Sequence, residues 1–169
     1  SSLLSASAPE EMTPEQLLSF LRKRQGLLDG VCITGGEPTL SPDLGQLLEQ
    51  IKVLGFSVKL DTNGTNPRML KELVRAGLID YVAMDIKNSP SRYSQTSGIP
   101  GLAMEKIEES MAFLLTGSLE YEFRTTVVKE FHTKEDFLAI GEWLKGAKCY
   151  ALQAFKDSGN LIQPGLSGY

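Results

Sequence analysis

The stretch GVCITGGEPTLSPDLGQLLEQIKVLGFSVKLDTNG, residues 30–64, decides the fold. It opens on a short β-rich run, residues 30–34, and crosses a glycine-rich turn. It then continues through residues 43–54 with leucine and isoleucine at three- and four-residue spacing. A second β-rich run follows, residues 56–61. Short apolar runs bounded by turn residues mark strands, and a 3.6-residue apolar period marks a helix. A strand, a helix and a second strand in that order form a parallel βα unit, because a tight turn cannot join parallel neighbours.

Working outward, the same rhythm continues. Further strands are predicted over 81–85, 120–128 and 150–155, and further helices over 67–76, 104–115 and 134–144. A leading helix over 14–25 gives the order α(βα)₄β. Thr13, Asn66 and Thr133 stand at N-cap positions, with Pro14 and Pro67 at the first helical position, where a missing N–H costs nothing. Thr133 and Asp136 have capping-box spacing, and Gly55, Gly77 and Gly146 stand where left-handed C-caps belong. Right-handed crossovers wind such strands into an α/β fold, a partial TIM-like (βα) barrel of parallel strands, or into a doubly wound sheet if the order reverses. The partial barrel is the preferred expectation. A chain that opens on a crossover helix implies a missing N-terminal strand before it. Residues 1–169 read as a single core domain, with 158–169 a flexible tail.

Composition narrows the function. The 41% hydrophobic and 22% charged content is that of a globular domain. A net charge of −4 with scattered basic residues lacks the footprint that neutralises phosphates, so nucleic acid is excluded as a partner. No apolar run approaches the ~20 residues that span a bilayer, and residues 1–9 lack the basic start of a signal peptide. No membrane association is expected, and the protein is expected to be cytoplasmic. The two cysteines, Cys32 and Cys149, sit in or beside apolar runs and read as buried core thiols. Neither forms a CxxC or CxxxCxxC motif, so this chain offers no thiolate set for a metal or cluster.

In this fold ligands meet the C-terminal ends of the strands, and the polar motifs lie there. After the first strand comes Thr34-Gly35-Gly36-Glu37-Pro38-Thr39, in which adjacent glycines let backbone approach a ligand and Glu37 adds an anionic acceptor. The second strand ends in Asp61-Thr62-Asn63-Gly64 and the third in Asp85-Ile86-Lys87. Two carboxylates on neighbouring strand ends need a cation, a hydroxyl-bearing ligand or Lys87 between them. Alternation along the fourth strand places Glu122, Arg124 and Thr126 on one face. Arg124 there needs an internal acid or a bound carboxylate. His132, the only histidine, falls in the loop after this strand and reads first as a pre-helix loop residue, second as a catalytic one.

Together these three spaced strand-end motifs resemble the radical S-adenosylmethionine (SAM) superfamily. Within it the chain is similar to the activating proteins of glycyl radical enzymes. Ala83-Met84-Asp85-Ile86-Lys87, Glu122-Phe123-Arg124-Thr125-Thr126-Val127-Val128 and Leu152-Gln153 resemble the anaerobic ribonucleoside-triphosphate reductase activating group. The resemblance implies that Gly35, Gly36 and Glu37 meet the methionyl amino group of SAM. It places Asp85 and Lys87 near the methionyl and ribose groups, Arg124 near the carboxylate, and Gln153 as a weaker contact. Asp61 joins this set, paired with Asp85 around a shared monovalent cation. It also implies a [4Fe–4S] cluster whose CxxxCxxC ligands are absent here, so no catalytic residue is assigned and the chain alone is expected to be inactive. The intact protein would cleave SAM reductively and abstract hydrogen from a glycine of a partner, an anaerobic ribonucleotide reductase, using a reduced flavodoxin or ferredoxin-type electron donor. Alternatives are activation of a pyruvate formate-lyase-like enzyme, a clusterless SAM- or small-ligand-binding barrel, and a phosphate-binding barrel isomerase, for which Asp157-Ser158-Gly159-Asn160 is a poor phosphate loop.

Overall fold

The three helices with N-cap candidates begin where the sequence supplies an acceptor for their unpaired N–H groups. In the computed structural model, which describes residues 12–99 and 101–155, Thr13 and Gln16 form a reciprocal capping box ahead of α1 (Pro14–Arg22). Asn66 Oδ1 accepts from the Met69 N–H ahead of α3 (Pro67–Arg75), and Thr133 and Asp136 form the predicted box ahead of α6 (Lys134–Trp143). Gly55, Gly77 and Gly146 take φ of 86°, 68° and 92°, as left-handed C-caps require. The remaining helices are α2 (Leu44–Val53), the short α4 (Tyr93–Ser97) and α5 (Met104–Thr116), with a 3₁₀ turn at Pro38–Leu40.

The strands are β1 (Gly30–Ile33), β2 (Ser57–Thr62), β3 (Tyr81–Asp85), β4 (Glu120–Val127) and β5 (Tyr150–Ala154). All pair in parallel in the order β1-β2-β3-β4-β5. An order without reversal means that each crossover winds the same way, which is the partial barrel and not the doubly wound sheet. The 3₁₀ turn and α4 lie outside the predicted elements, and β2 runs one residue further than expected, through Thr62. The tail 158–169 and any strand before α1 lie outside the described residues. Among the described residues no helix is long and apolar enough to cross a membrane.

Alternation along the strands sorts the two faces. Val58, Leu60, Val82, Met84, Tyr121 and Phe123 are buried with Leu48, Ile51, Leu70, Ile107 and Leu114 of the helices, each large apolar side chain contributing about 1.5–3 kcal/mol. The other face carries Cys32, Lys59, Asp61, Tyr81, Asp85, Glu122 and Arg124. Lys59 Nζ lies 3.2 Å from Glu122 and 3.8 Å from Asp61 on that face.

This sorting overturns the expectation of buried thiols: Cys32 and Cys149 are both exposed. Cys32 sits on an edge strand with its side chain on the polar face, beside Asp61 and Lys59, and Cys149 immediately precedes the opposite edge strand. Apolar neighbours in sequence did not imply apolar neighbours in space. Partial burial and the Asp61 charge push the Cys32 thiol up from its ordinary pKa, so it is a poor nucleophile.

Gly64 closes the turn after β2. Its φ is 76°, and a Cβ there would lie 3.1 Å from Met84 Sδ and 3.5 Å from Ser110 Cβ, while Ser110 Oγ already donates to the Gly64 carbonyl at 2.8 Å. Gly64→Ala is therefore expected to destabilise the protein by about 2–4 kcal/mol, from left-handed strain plus overpacking. Urea denaturation measures this.

Candidate functional site

The site assembles where β1 to β4 stop. Gly35 and Gly36 turn the chain out of β1 with φ of 97° and 54°, and a Cβ on either would meet nothing within 4 Å. Their open side faces an open-mouthed cavity of about 160 Å³, also lined by Asp61, Asp85, Lys87 and Arg124. Six of the eight residues singled out from sequence thus converge on one cavity.

Arg124 holds the acids together. Its Nη1 donates to Asp61 Oδ2 at 3.1 Å, and its Nε and Nη2 donate to Asp85 Oδ1 at 3.2 and 3.0 Å. Lys87 Nζ donates to the other Asp85 oxygen at 2.9 Å. The group that bridges the two carboxylates is the Arg124 guanidinium, which is none of the bound cation, hydroxyl-bearing ligand or Lys87 expected there. Only 12% of that side chain is exposed. Burial works against its charge, and the Asp85 and Asp61 carboxylates outweigh it, raising the guanidinium above its ordinary pKa. Asp61 Oδ1 is buried with no hydrogen-bond partner among the described residues, and Lys59 Nζ lies 3.8 Å from it.

The other two expected residues sit elsewhere. Glu37 does not line the cavity. Its Oε1 accepts from the Thr39 N–H, the Thr39 hydroxyl and the Thr62 hydroxyl at 3.1, 2.6 and 2.8 Å, and its Oε2 accepts from the Asn63 N–H at 2.6 Å. A carboxylate with so many donors stitches the glycine turn to the end of β2. It sets the position of Gly35 and Gly36 from behind. Gln153 is exposed on the edge strand, in register with Thr126, and does not line the cavity.

His132 is buried in the loop before α6. Its Nε2 donates to the Lys87 carbonyl at 2.9 Å, its Nδ1 accepts from the Val128 N–H at 3.1 Å, and its ring stacks on Phe137. It meets the backbone of Lys87, not the cavity. Sequence reasoning missed Tyr93, Ile99, Leu102 and Ile107, which form the more apolar wall of the cavity. Tyr93 is buried, donates to the Asp85 carbonyl at 3.3 Å and meets Trp143 edge to face. Burial pushes its phenol up from its ordinary pKa. The segment 88–102 has no clear apolar period, so nothing in its pattern marks it as a wall.

The arrangement suits a ligand carrying both signs of charge: glycine backbone and carboxylates for a cation, Arg124 and Lys87 for an anion. Among the described residues no three His, Cys, Asp or Glu side chains are grouped to hold a metal.

The comparisons with known proteins bear on the fold and the family. The chain is 36% identical over 132 residues to a candidate glycyl-radical enzyme activating enzyme of Methanocaldococcus jannaschii, covering 76% of this chain and 55% of that protein. It is 31% identical over 115 residues to a 7-carboxy-7-deazaguanine synthase of Thermococcus kodakarensis, covering 67% and 44% respectively. The chain thus spans about half the length of these curated relatives. A domain of a pyruvate-formate lyase-activating enzyme from Bacteroides vulgatus superposes with a TM-score of 0.64 at 20% identity, over 77% of this chain and 83% of that one. SuiB of Streptococcus suis bound to S-adenosylmethionine superposes with a TM-score of 0.65 at 15% identity, over 86% and 35%. At such identities the structures speak for the fold alone. The radical SAM superfamily model matches residues 5–144, most of the chain. This chain belongs to the radical SAM superfamily.

Proposed function

We propose that this chain is the SAM-binding core of an activating enzyme that installs a radical on a glycine of a partner protein, with an anaerobic ribonucleotide reductase as that partner. The observation that carries the reading is the single cavity in which the open side of Gly35 and Gly36 is ringed by Asp61, Asp85, Lys87 and Arg124. The 36% identical relative, itself described as a glycyl-radical enzyme activating enzyme, supports the choice of chemistry. The Ala83-to-Lys87 and Glu122-to-Val128 segments support the choice of partner.

The family implies SAM and a [4Fe–4S] cluster, and the two fare differently here. SAM fits. The cradle is one that a Cβ would fill, a guanidinium has five N–H donors, and Arg124 commits only three of them to Asp61 and Asp85. The two uncommitted N–H groups can donate to a carboxylate. The glycine carbonyls and Asp85 suit the amino group and hydroxyls. A cluster does not fit the residues of this chain, because its two cysteines are exposed and far apart in the sequence and no ligand group of three is present among the described residues. When bound, SAM would be the source of the hydrogen-abstracting radical, its sulfur–carbon bond broken by one electron from the family's cluster with methionine as the leaving group. The residues described here bind it, orient it and exclude water around it.

The test uses protein expressed from the complete gene and reconstituted anaerobically with iron and sulfide. Dithionite reduction with SAM should release 5′-deoxyadenosine, and adding the anaerobic ribonucleotide reductase of the same organism should produce a glycine-centred EPR doublet. Transfer to a pyruvate formate-lyase-like enzyme instead would change the partner. SAM binding without 5′-deoxyadenosine would leave a ligand-binding barrel.

A further inference from the structure

The residues 88–99 and 101–102 that close the cavity have little regular structure to hold them, only the five-residue α4. What holds them is a set of polar contacts to one neighbouring element, the β4–α6 loop with the start of α6. Asn88 Nδ2 donates to the Phe131 carbonyl at 2.9 Å, and His132 Nε2 donates to the Lys87 carbonyl at 2.9 Å. Ser89 Oγ donates to Asp136 Oδ1 at 2.7 Å, and Arg92 Nη1 donates to Asp136 Oδ2 at 2.7 Å. Asn88, Ser89, His132 and Asp136 are all buried. None of them lines the cavity.

Buried polar groups of this kind must be satisfied, and once satisfied they specify a single arrangement. Asp136 could cap α6 with Thr133 alone; its reach across to Ser89 and Arg92 adds nothing to that cap. From Arg92 the chain turns directly into Tyr93, which spans from Trp143 of α6 to the Asp85 carbonyl beneath the ligand-facing acids. Ser97, Ile99 and Leu102 of the wall follow within the same segment. Lys87, whose ammonium pairs with Asp85, is held at its carbonyl by His132.

We infer that Asp136 and His132 are positioning residues: acting through Ser89, Arg92 and the Lys87 carbonyl, they fix the 88–99 wall of the SAM cavity and thereby set its affinity. This rests on the reading of the cavity as a SAM site.

Isothermal titration of SAM into the complete, reconstituted protein tests it, with Ser89→Ala as the decisive variant. That change removes a wall-side partner of Asp136 and leaves the Thr133–Asp136 cap intact. SAM should bind about 5- to 10-fold more weakly, a part of the loss expected for one hydrogen bond to a charged group, and trypsin should cleave after Arg92 faster in the free variant than in wild type. His132→Phe should also weaken binding, whereas His132→Gln, which keeps a donor near the Nε2 position, should recover most of it. Wild-type affinity in Ser89→Ala would reduce Asp136 to a helix cap and overturn the inference, as would equal affinities for His132→Phe and His132→Gln. Wild-type protein that binds no SAM would overturn the site reading itself, a result distinct from either.

Discussion

Gly36→Val is expected to weaken SAM binding by about 100-fold or more, equivalent to about 2.7 kcal/mol, while the protein stays folded. The side chain would project into the open space beside Gly36, where nothing of the protein lies within 4 Å, and so would take the volume the ligand needs. The left-handed φ of 54° adds strain of about 1–3 kcal/mol, a bulky branched residue being poorly suited to it. Gly36→Ala should fall between wild type and valine. Titration calorimetry gives the affinity, and circular dichroism reports whether the fold survives. A valine variant with native affinity would remove the glycine cradle from the ligand site.

Arg124→Leu should be the more damaging change to stability, by about 3–5 kcal/mol, because it leaves Asp61 and Asp85 facing each other, partly buried and without the charge that joins them. Adding Asp61→Asn should recover a good part of that loss, since the remaining acid keeps Lys87. A double-mutant cycle in urea reads the coupling; additive losses would mean that the arginine bridge contributes nothing as a bridge. Arg124→Lys keeps the charge but loses the fork. It should fold and bind SAM about tenfold more weakly, and native affinity would confine Arg124 to the structural role.

Acid stability has a named contributor. Burial pushes the Asp136 carboxyl up, but the Ser89 hydroxyl, Thr133 and Arg92 outweigh it and hold the pKa at about 2, against an ordinary 3.8. A depressed carboxyl stabilises the fold above its unfolded pKa, and that contribution is lost as pH falls from about 3.8 through about 2. It amounts to about 2 kcal/mol at neutral pH. Between pH 5 and pH 2 the wild type should therefore lose about 2 kcal/mol more than Asp136→Asn in denaturant titrations. Parallel losses in the two proteins would remove Asp136 as the source.

By itself the sequence determined the parallel βα rhythm, the helix starts at Thr13, Asn66 and Thr133, and the glycine stops. Each depends on contacts within a few residues, or on a period that one element imposes on itself. It also placed Gly35, Gly36, Asp61, Asp85, Lys87 and Arg124 at one end of the sheet, because in this fold a strand's C-terminus names its location. Only the tertiary structure decided what those residues do to one another. That Arg124 takes both acids, that Glu37 is spent on Thr39, Thr62 and Asn63, and that the Cys32 thiol faces the polar side all depend on which strand lies beside which and at what register. The wall from residue 88 to 99 was illegible for the same reason. Its shape is imposed by Asp136 and His132, more than thirty residues further along the chain, and pairings at that range leave no period in the local sequence to read.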